Sequence, residues 1–177
     1  MKKFFKYNVG AAIGALVLII ALALFGGMNR TVASYSGKVD RAFDSSSGSV
    51  SLDLKKYKDY AVSFSAKAKA AGCATSALDE SVGKLDAGSA YTDSDRALEA
   101  ISSAAAVVYG ELEAKSGIGE DQKRSAKSDY YEMTSTADRL LKNDAYNNAA
   151  KKYNKAVSSF PANILTFGRH RAAVFNK

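Results

Sequence analysis

Proline occurs once in this chain, at Pro161, cysteine once, at Cys73, histidine once, at His170, and tryptophan not at all. A lone cysteine excludes an intrachain disulfide and any Cys-x-x-Cys zinc or redox motif. A lone histidine excludes the Glu-x-x-His pairs on which di-metal helical bundles depend. A Ser–His–Asp or Cys–His arrangement would have to use His170, within the basic tail Arg169-His170-Arg171. The scarcity of proline and of β-branched runs argues against a sandwich or barrel, which needs frequent turns. Gly117-Ile118-Gly119 lacks both the third glycine and the preceding strand of a dinucleotide fingerprint. The carboxylate pairs Glu111/Glu113 and Asp93/Asp95 read as a solvated helix face and a helix start. We therefore assign no catalytic, cofactor-binding or metal-binding residue from the sequence, and expect a protein that is not an enzyme and needs no cofactor.

What remains is rich in Ala, Lys, Ser, Leu and Asp, the composition of long helices. The 177 residues carry a net charge of +7, of which Lys2, Lys3, Lys6 and Arg30 supply four; residues 31–177 keep the other three. The basic excess therefore flanks the first apolar segment, and no phosphate-tracking stripe emerges in the rest, so nucleic acid is not an expected partner.

Val9 to Phe25 is an uncharged apolar run, and Gly26, Gly27 and Met28 bring it to the ~20 residues that a helix needs to cross a bilayer. Phe4, Phe5 and Tyr7 occupy the place of an interfacial aromatic belt, and the lysines before the span put the N-terminus in the cytoplasm. The expected location is an inner or cell membrane, single-pass, with the domain outside the cytoplasm. The rival reading is a signal peptide cut near Thr31-Val32-Ala33, which would give a secreted helical binding protein. Against it, Met28, Val32, Tyr35, Val39 and Ala42 keep a 4-3-4-3 spacing through that site. Gly10 and Gly14 form a GxxxG motif that could pack two spans together as a homo-oligomer.

Beyond the span, Ser45-Ser46-Ser47-Gly48-Ser49 favours a break. Leu54, Tyr57, Ala61, Phe64, Ala68 and Ala71 then mark one buried helix face, with Gly72 as its stop. Residues 73–92 are irregular, with Leu78, Val82 and Leu85 suited to a short helix. Thr92 is the expected N-cap of the next helix, which buries Leu98, Ile101, Ala105, Val108 and Leu112. From Glu120 or Asp121 one helix is expected to continue to Pro161, roughly 58 Å at 1.5 Å per residue, with a polar interruption at Asn143 and Asp144. The fold class is thus all-α: a transmembrane helix over 1–30 and an antiparallel three- to four-helix bundle, coiled-coil-like in its seams, over 31–162. A basic and apolar tail, 163–177, is expected to fray, with anionic lipid or a protein partner as the alternative.

The densest motif is Tyr146-Asn147 repeated as Tyr153-Asn154, seven residues on, and followed by Phe160-Pro161. Seven residues nearly complete two helical turns, so the tyrosines share one stripe and the asparagines a neighbouring one. These six residues are expected to be structural. This run, with Lys155-Ala156-Val157-Ser158-Ser159, resembles the C-terminal signature of the LemA family. Ala137-Asp138-Arg139-Leu140-Leu141 and Val39-Asp40-Arg41-Ala42-Phe43 extend the resemblance upstream. Tyr57 to Phe64 lacks the family's Leu-Ile-Pro-Asn-Leu segment, and Phe167-Gly168 stands where Gly-Phe is usual. The resemblance implies an N-terminally anchored helical bundle without an agreed activity, some relatives being linked to membrane organisation or membrane proteases. The expected function is a membrane scaffold or adaptor, its partners the lipid bilayer, other membrane proteins or its own copies. A membrane-tethered hydrolase is the alternative.

Overall fold

A computed structural model describes residues 2–44, 49–159, 162–165 and 169–175. Among them the chain forms seven helices and no strand: α1 Lys2–Asp44, α2 Val50–Ala70, α3 Ser76–Gly83, α4 Ser94–Ala114, α5 Glu120–Leu141, α6 Asp144–Ser158 and α7 Ala162–Leu165. The protein is all-α, with one apolar helix near the N-terminus long enough to span a membrane.

Helix α1 has two chemically different halves on one continuous rod. Its 43 residues extend roughly 65 Å at 1.5 Å per residue. From Ile13 to Phe25 its large apolar side chains are exposed. A turn later Val32, Val39 and Phe43 are buried, with Met28, Tyr35 and Ala42 half-buried beside them. The 4-3-4-3 stripe is therefore the face by which α1 enters the bundle. Gly14 meets nothing within 4 Å of where a Cβ would stand, so its small face is unoccupied; the surroundings of Gly10 lie outside the described residues.

Residues 45–48, where the sequence favours a break, also lie outside the described residues. Ser49 follows in extended geometry, and its Oγ accepts the Leu52 N–H at 3.1 Å as the N-cap of α2. At the other end Gly72 takes φ +79°, the Cys73 N–H donates to Ala68 O and the Gly72 N–H to Lys69 O. That paired closure needs a left-handed residue, which glycine supplies without strain.

The long helix expected from residue 120 to Pro161 is instead two helices, α5 and α6. Asn143 causes the division: its Oδ1 accepts the Tyr146 N–H at 3.1 Å and caps α6. The carbonyls of Leu140 and Leu141, at the end of α5, find a donor in Asn147 Nδ2, at 3.2 and 3.3 Å. The polar pair Asn143-Asp144 is thus a cap and first turn rather than a flaw in one seam. Replacing Asn143 with Ala should lower unfolding free energy by about 1 kcal/mol. Guanidinium unfolding in micelles reads this; an unchanged midpoint would mean that the cap does not hold α6.

Ion pairs and rings fix the arrangement. Lys67–Asp129 at 2.6 Å and Arg139–Asp53 at 3.2 Å place α2 and α5 antiparallel. Phe43 lies 6.0 Å from Tyr146, so the C-terminal end of α1 meets the N-terminal end of α6. The chain therefore pairs α2 with α5 and α1 with α6, the two pairs adjoining near Phe43 and Tyr146, with Ser49 and Asn143 capping the starts of α2 and α6. Helix α4 flanks the α2–α5 half: Lys127–Glu113 at 2.6 Å makes it antiparallel to α5, while Tyr57 Oη reaches Ser102 at 2.8 Å and Lys115 Nζ donates to Gly72 O, making it parallel to α2. The short helix α3 reverses the chain between them. Leu78, Val82 and Leu85 are buried, and Asp79 accepts from Ser65.

Two local expectations are corrected here. Helix α4 begins at Ser94, and Thr92 caps nothing; its hydroxyl pairs with Ser94 Oγ at 2.7 Å and Ser89 O at 3.2 Å. The described stretch of the tail, 169–175, is docked on the bundle rather than frayed: Ala172, Ala173 and Phe175 are buried, and the Ala173 N–H donates to Ala90 O at 2.9 Å.

Candidate functional site

The repeated Tyr-Asn pair stands at the centre of the α1–α6 half. Tyr146 and Asn147 are fully buried, Tyr153 is 3% exposed, and Asn154 is half-buried. Helix α6 positions them by its period, and the tail that returns past Arg169 supplies what they grip.

Asn154 treats Ala172 as a second amide would. Its Oδ1 accepts the Ala172 N–H and its Nδ2 donates to Ala172 O, both at 2.8 Å. Asn147 works in two directions. Besides closing the end of α5, its Oδ1 accepts the Phe175 N–H at 2.9 Å. Tyr153 donates its hydroxyl to His170 O at 3.2 Å. Four polar groups on one helix thus bond to the backbone of a segment, 169–175, that is neither helix nor strand. Seven-residue spacing on α6 matches the advance of the tail, so both asparagines bind successive stretches of it.

The rings complete the enclosure. Tyr146 lies between Phe43 of α1 and Phe175 of the tail, the latter at 5.7 Å and nearly parallel. Tyr153 meets Tyr91 edge-on at 5.3 Å, and Tyr91 donates its hydroxyl to Ser36 O at 3.3 Å. The Tyr146 hydroxyl is buried without a hydrogen-bond partner. Burial raises its pKa, with Tyr91, Asp95 and Asp40 adding to the shift. Burial also raises Tyr153, opposed by Arg169. Both remain neutral through the physiological range. Phe160 and Pro161, the last two members of the motif, lie outside the described residues.

The remaining candidates are spread apart. His170 is exposed and contributes its backbone carbonyl to the clamp. Cys73 lies at the far end of α2, where burial, with Glu111 nearby, pushes its thiol pKa up and keeps it protonated. Glu111 accepts the Ala74 N–H and Glu113 pairs with Lys127, so each carboxylate serves a helix junction. Among the described residues no three His, Cys, Asp or Glu side chains are grouped to hold a metal. Sequence reasoning missed the partner of the asparagines, because nothing local marks 169–175 as an ordered segment. Its one signal was the apolar set Ala172, Ala173, Val174 and Phe175 beside the arginines.

A second feature runs along the outside of the same helix pair. Lys38 and Tyr35 of α1 and Lys152 and Lys155 of α6 line a groove of about 740 Å³. A smaller hollow of about 330 Å³, lined by Gly27, Arg30 and Thr31, shares Tyr35 and Lys38 with it. Comparison with known proteins yields no matching family model, no matching curated protein and no matching solved structure. The functional reading therefore rests on the chain's own geometry.

Proposed function

We propose that this chain is a membrane-anchored helical scaffold or adaptor of LemA type, holding its bundle at the outer face of the membrane for protein partners. The observation that carries the reading is the continuity of α1. One helix has an apolar half whose described side chains, Ile13 to Phe25, are exposed and a second half whose Val32, Val39 and Phe43 are core residues. A bundle whose first helix is also its anchor is held at a fixed height and orientation, as a scaffold requires. The tail clamp adds support, since it commits the Tyr-Asn repeat to shape rather than to a reacting group. Lys2, Lys3 and Lys6 before the span favour a cytoplasmic N-terminus.

Alkaline carbonate washing of membranes, followed by intact-mass measurement, tests the anchor. The expected result is a chain kept in the pellet at its full mass. A released species beginning at Ser34 would replace the anchored scaffold by a secreted helical binding protein.

A further inference from the structure

The groove between α1 and α6 has a mouth, a wall chemistry and a height that together select a ligand. Its height follows from the helices. Tyr146 lies beside Phe43, and α6 climbs 13 residues from there to Ser159, roughly 20 Å, while α1 descends the same distance to Arg30. The top of the groove is therefore level with Arg30 and Gly27, where the apolar run ends. Arg169 Nη2, 3.4 Å from Asn29 Oδ1, fixes the tail at the same level. Helix α7 follows directly after α6, with Ile164 64% exposed.

The wall chemistry is one-sided. Arg30, Lys38, Lys152 and Lys155 line the two joined hollows, and no carboxylate does. None of the four is in an ion pair among the described residues, a state they share with other surface lysines such as Lys55 and Lys56; what sets them apart is that they line one concave surface. Lys38 rests its ammonium 5.5 Å from the centre of the Tyr35 ring, which leaves donors free for an anion. Asn148 and Ser159 add neutral hydrogen-bonding groups to the same lining. Four cations without an ion-pair partner among the described residues line hollows whose upper end is level with the end of the apolar run, where a bilayer would present its phosphates.

We propose that this groove binds the headgroup of an anionic phospholipid from the leaflet that the bundle faces. The proposal rests on the membrane-spanning reading of α1. The headgroup enters past Arg30, at the level where the apolar run ends. Its anionic group is held between Arg30 and the lysines Lys38, Lys152 and Lys155, which lie up to roughly 12 Å farther along the groove. The acyl chains run back along the exposed apolar half of α1. Occupancy would tie α6, and with it the tail clamp, to the membrane surface.

The test uses the full chain in dodecyl maltoside micelles, titrated with short-chain phosphatidylglycerol, short-chain phosphatidylcholine or inorganic phosphate, with affinity read by native mass spectrometry. Phosphatidylglycerol should bind at least about tenfold more tightly than phosphatidylcholine. The variant Lys38→Ala/Lys152→Ala/Lys155→Ala should weaken phosphatidylglycerol by about tenfold or more while circular dichroism stays unchanged. Lys152→Glu alone provides the same reading if the triple variant does not fold, and Lys55→Ala/Lys56→Ala on α2 should change nothing. Equal binding of the two lipids, or unaltered affinity in both groove variants, would overturn the proposal. So would displacement of the lipid by equimolar inorganic phosphate, which would make the groove a free-phosphate site. Because binding is read in micelles, its failure is distinct from failure of the carbonate test of the anchor.

Discussion

Asn147→Ala should be the more damaging of the two clamp asparagine changes on α6, costing about 3–4 kcal/mol and releasing the C-terminal tail. The side chain is fully buried and makes three hydrogen bonds, to the carbonyls of Leu140 and Leu141 and to the Phe175 N–H. Its removal forfeits those bonds and also leaves buried backbone groups without partners, at about 1–3 kcal/mol for each that water cannot reach. Asn154→Ala removes two shorter bonds to Ala172, but that site is half-exposed and water can replace the amide. It should cost only about 1–2 kcal/mol. Hydrogen exchange provides the second measurement: the Ala172, Ala173 and Phe175 amides should lose protection in Asn147→Ala. Trypsin should cut faster at Arg169 and Arg171. If Asn147→Ala is no less stable than Asn154→Ala and its tail stays protected, the clamp is not what holds residues 169–175.

That ranking shows what the sequence could and could not convey. Helical faces were legible because burial repeats at 3.6 residues: of the six residues read from spacing alone, Leu54, Tyr57, Ala61, Phe64 and Ala68 are fully buried, and Ala71, at the C-cap of α2, is half-buried. The division at Asn143 was visible only as a polar interruption. An isolated Asn within a helix-forming stretch has two outcomes, a solvated face or a cap. Contacts 41 and 45 residues apart, such as Tyr57 Oη to Leu98 O and Ser102 Oγ, leave no local trace. The tail was illegible for the same reason. Its order comes from α6 and from Ala90, which is distant in sequence. The Tyr-Asn repeat was conspicuous as a pattern, and its tyrosines do share one buried face. The asparagines grip a segment, Arg169 to Phe175, whose helix-favouring Ala and Arg and strand-favouring Val and Phe give no consistent local signal. The lysine groove shows a different limit: Lys38 is over 100 residues from Lys152 and Lys155, and only the antiparallel pairing of α1 with α6 gathers them.

Between pH 10 and pH 12 the bundle should lose stability steeply, because its buried tyrosines resist ionisation. Burial pushes Tyr57 up to about 12, the Ser102 hydrogen bond opposing the shift in part, and raises Tyr146 as well. In the unfolded chain both ionise near the ordinary value of about 10. A group whose folded pKa is raised gives a contribution that is fully present below the unfolded pKa and fades as pH rises toward the folded one. Above pH ~10 the unfolded state therefore binds fewer protons than the native state, and each such tyrosine costs about 1.4 kcal/mol per pH unit. Two of them remove about 5 kcal/mol by pH 12, as much as the whole stability of many domains. Absorbance at 295 nm should show part of the ten tyrosines ionising only as helical circular dichroism collapses. Smooth titration of all ten near pH 10 with the helix signal intact would refute the burial argument. Phenylalanine substitutions separate the two sites at neutral pH. Tyr57→Phe loses its bonds to Leu98 O and Ser102 Oγ and should destabilise by about 1 kcal/mol. Tyr146→Phe loses no bond, because its buried hydroxyl has no partner. Removing that hydroxyl lifts a desolvation cost of about 1–3 kcal/mol, so Tyr146→Phe should be as stable as the natural chain or more so, and should move the alkaline transition to higher pH.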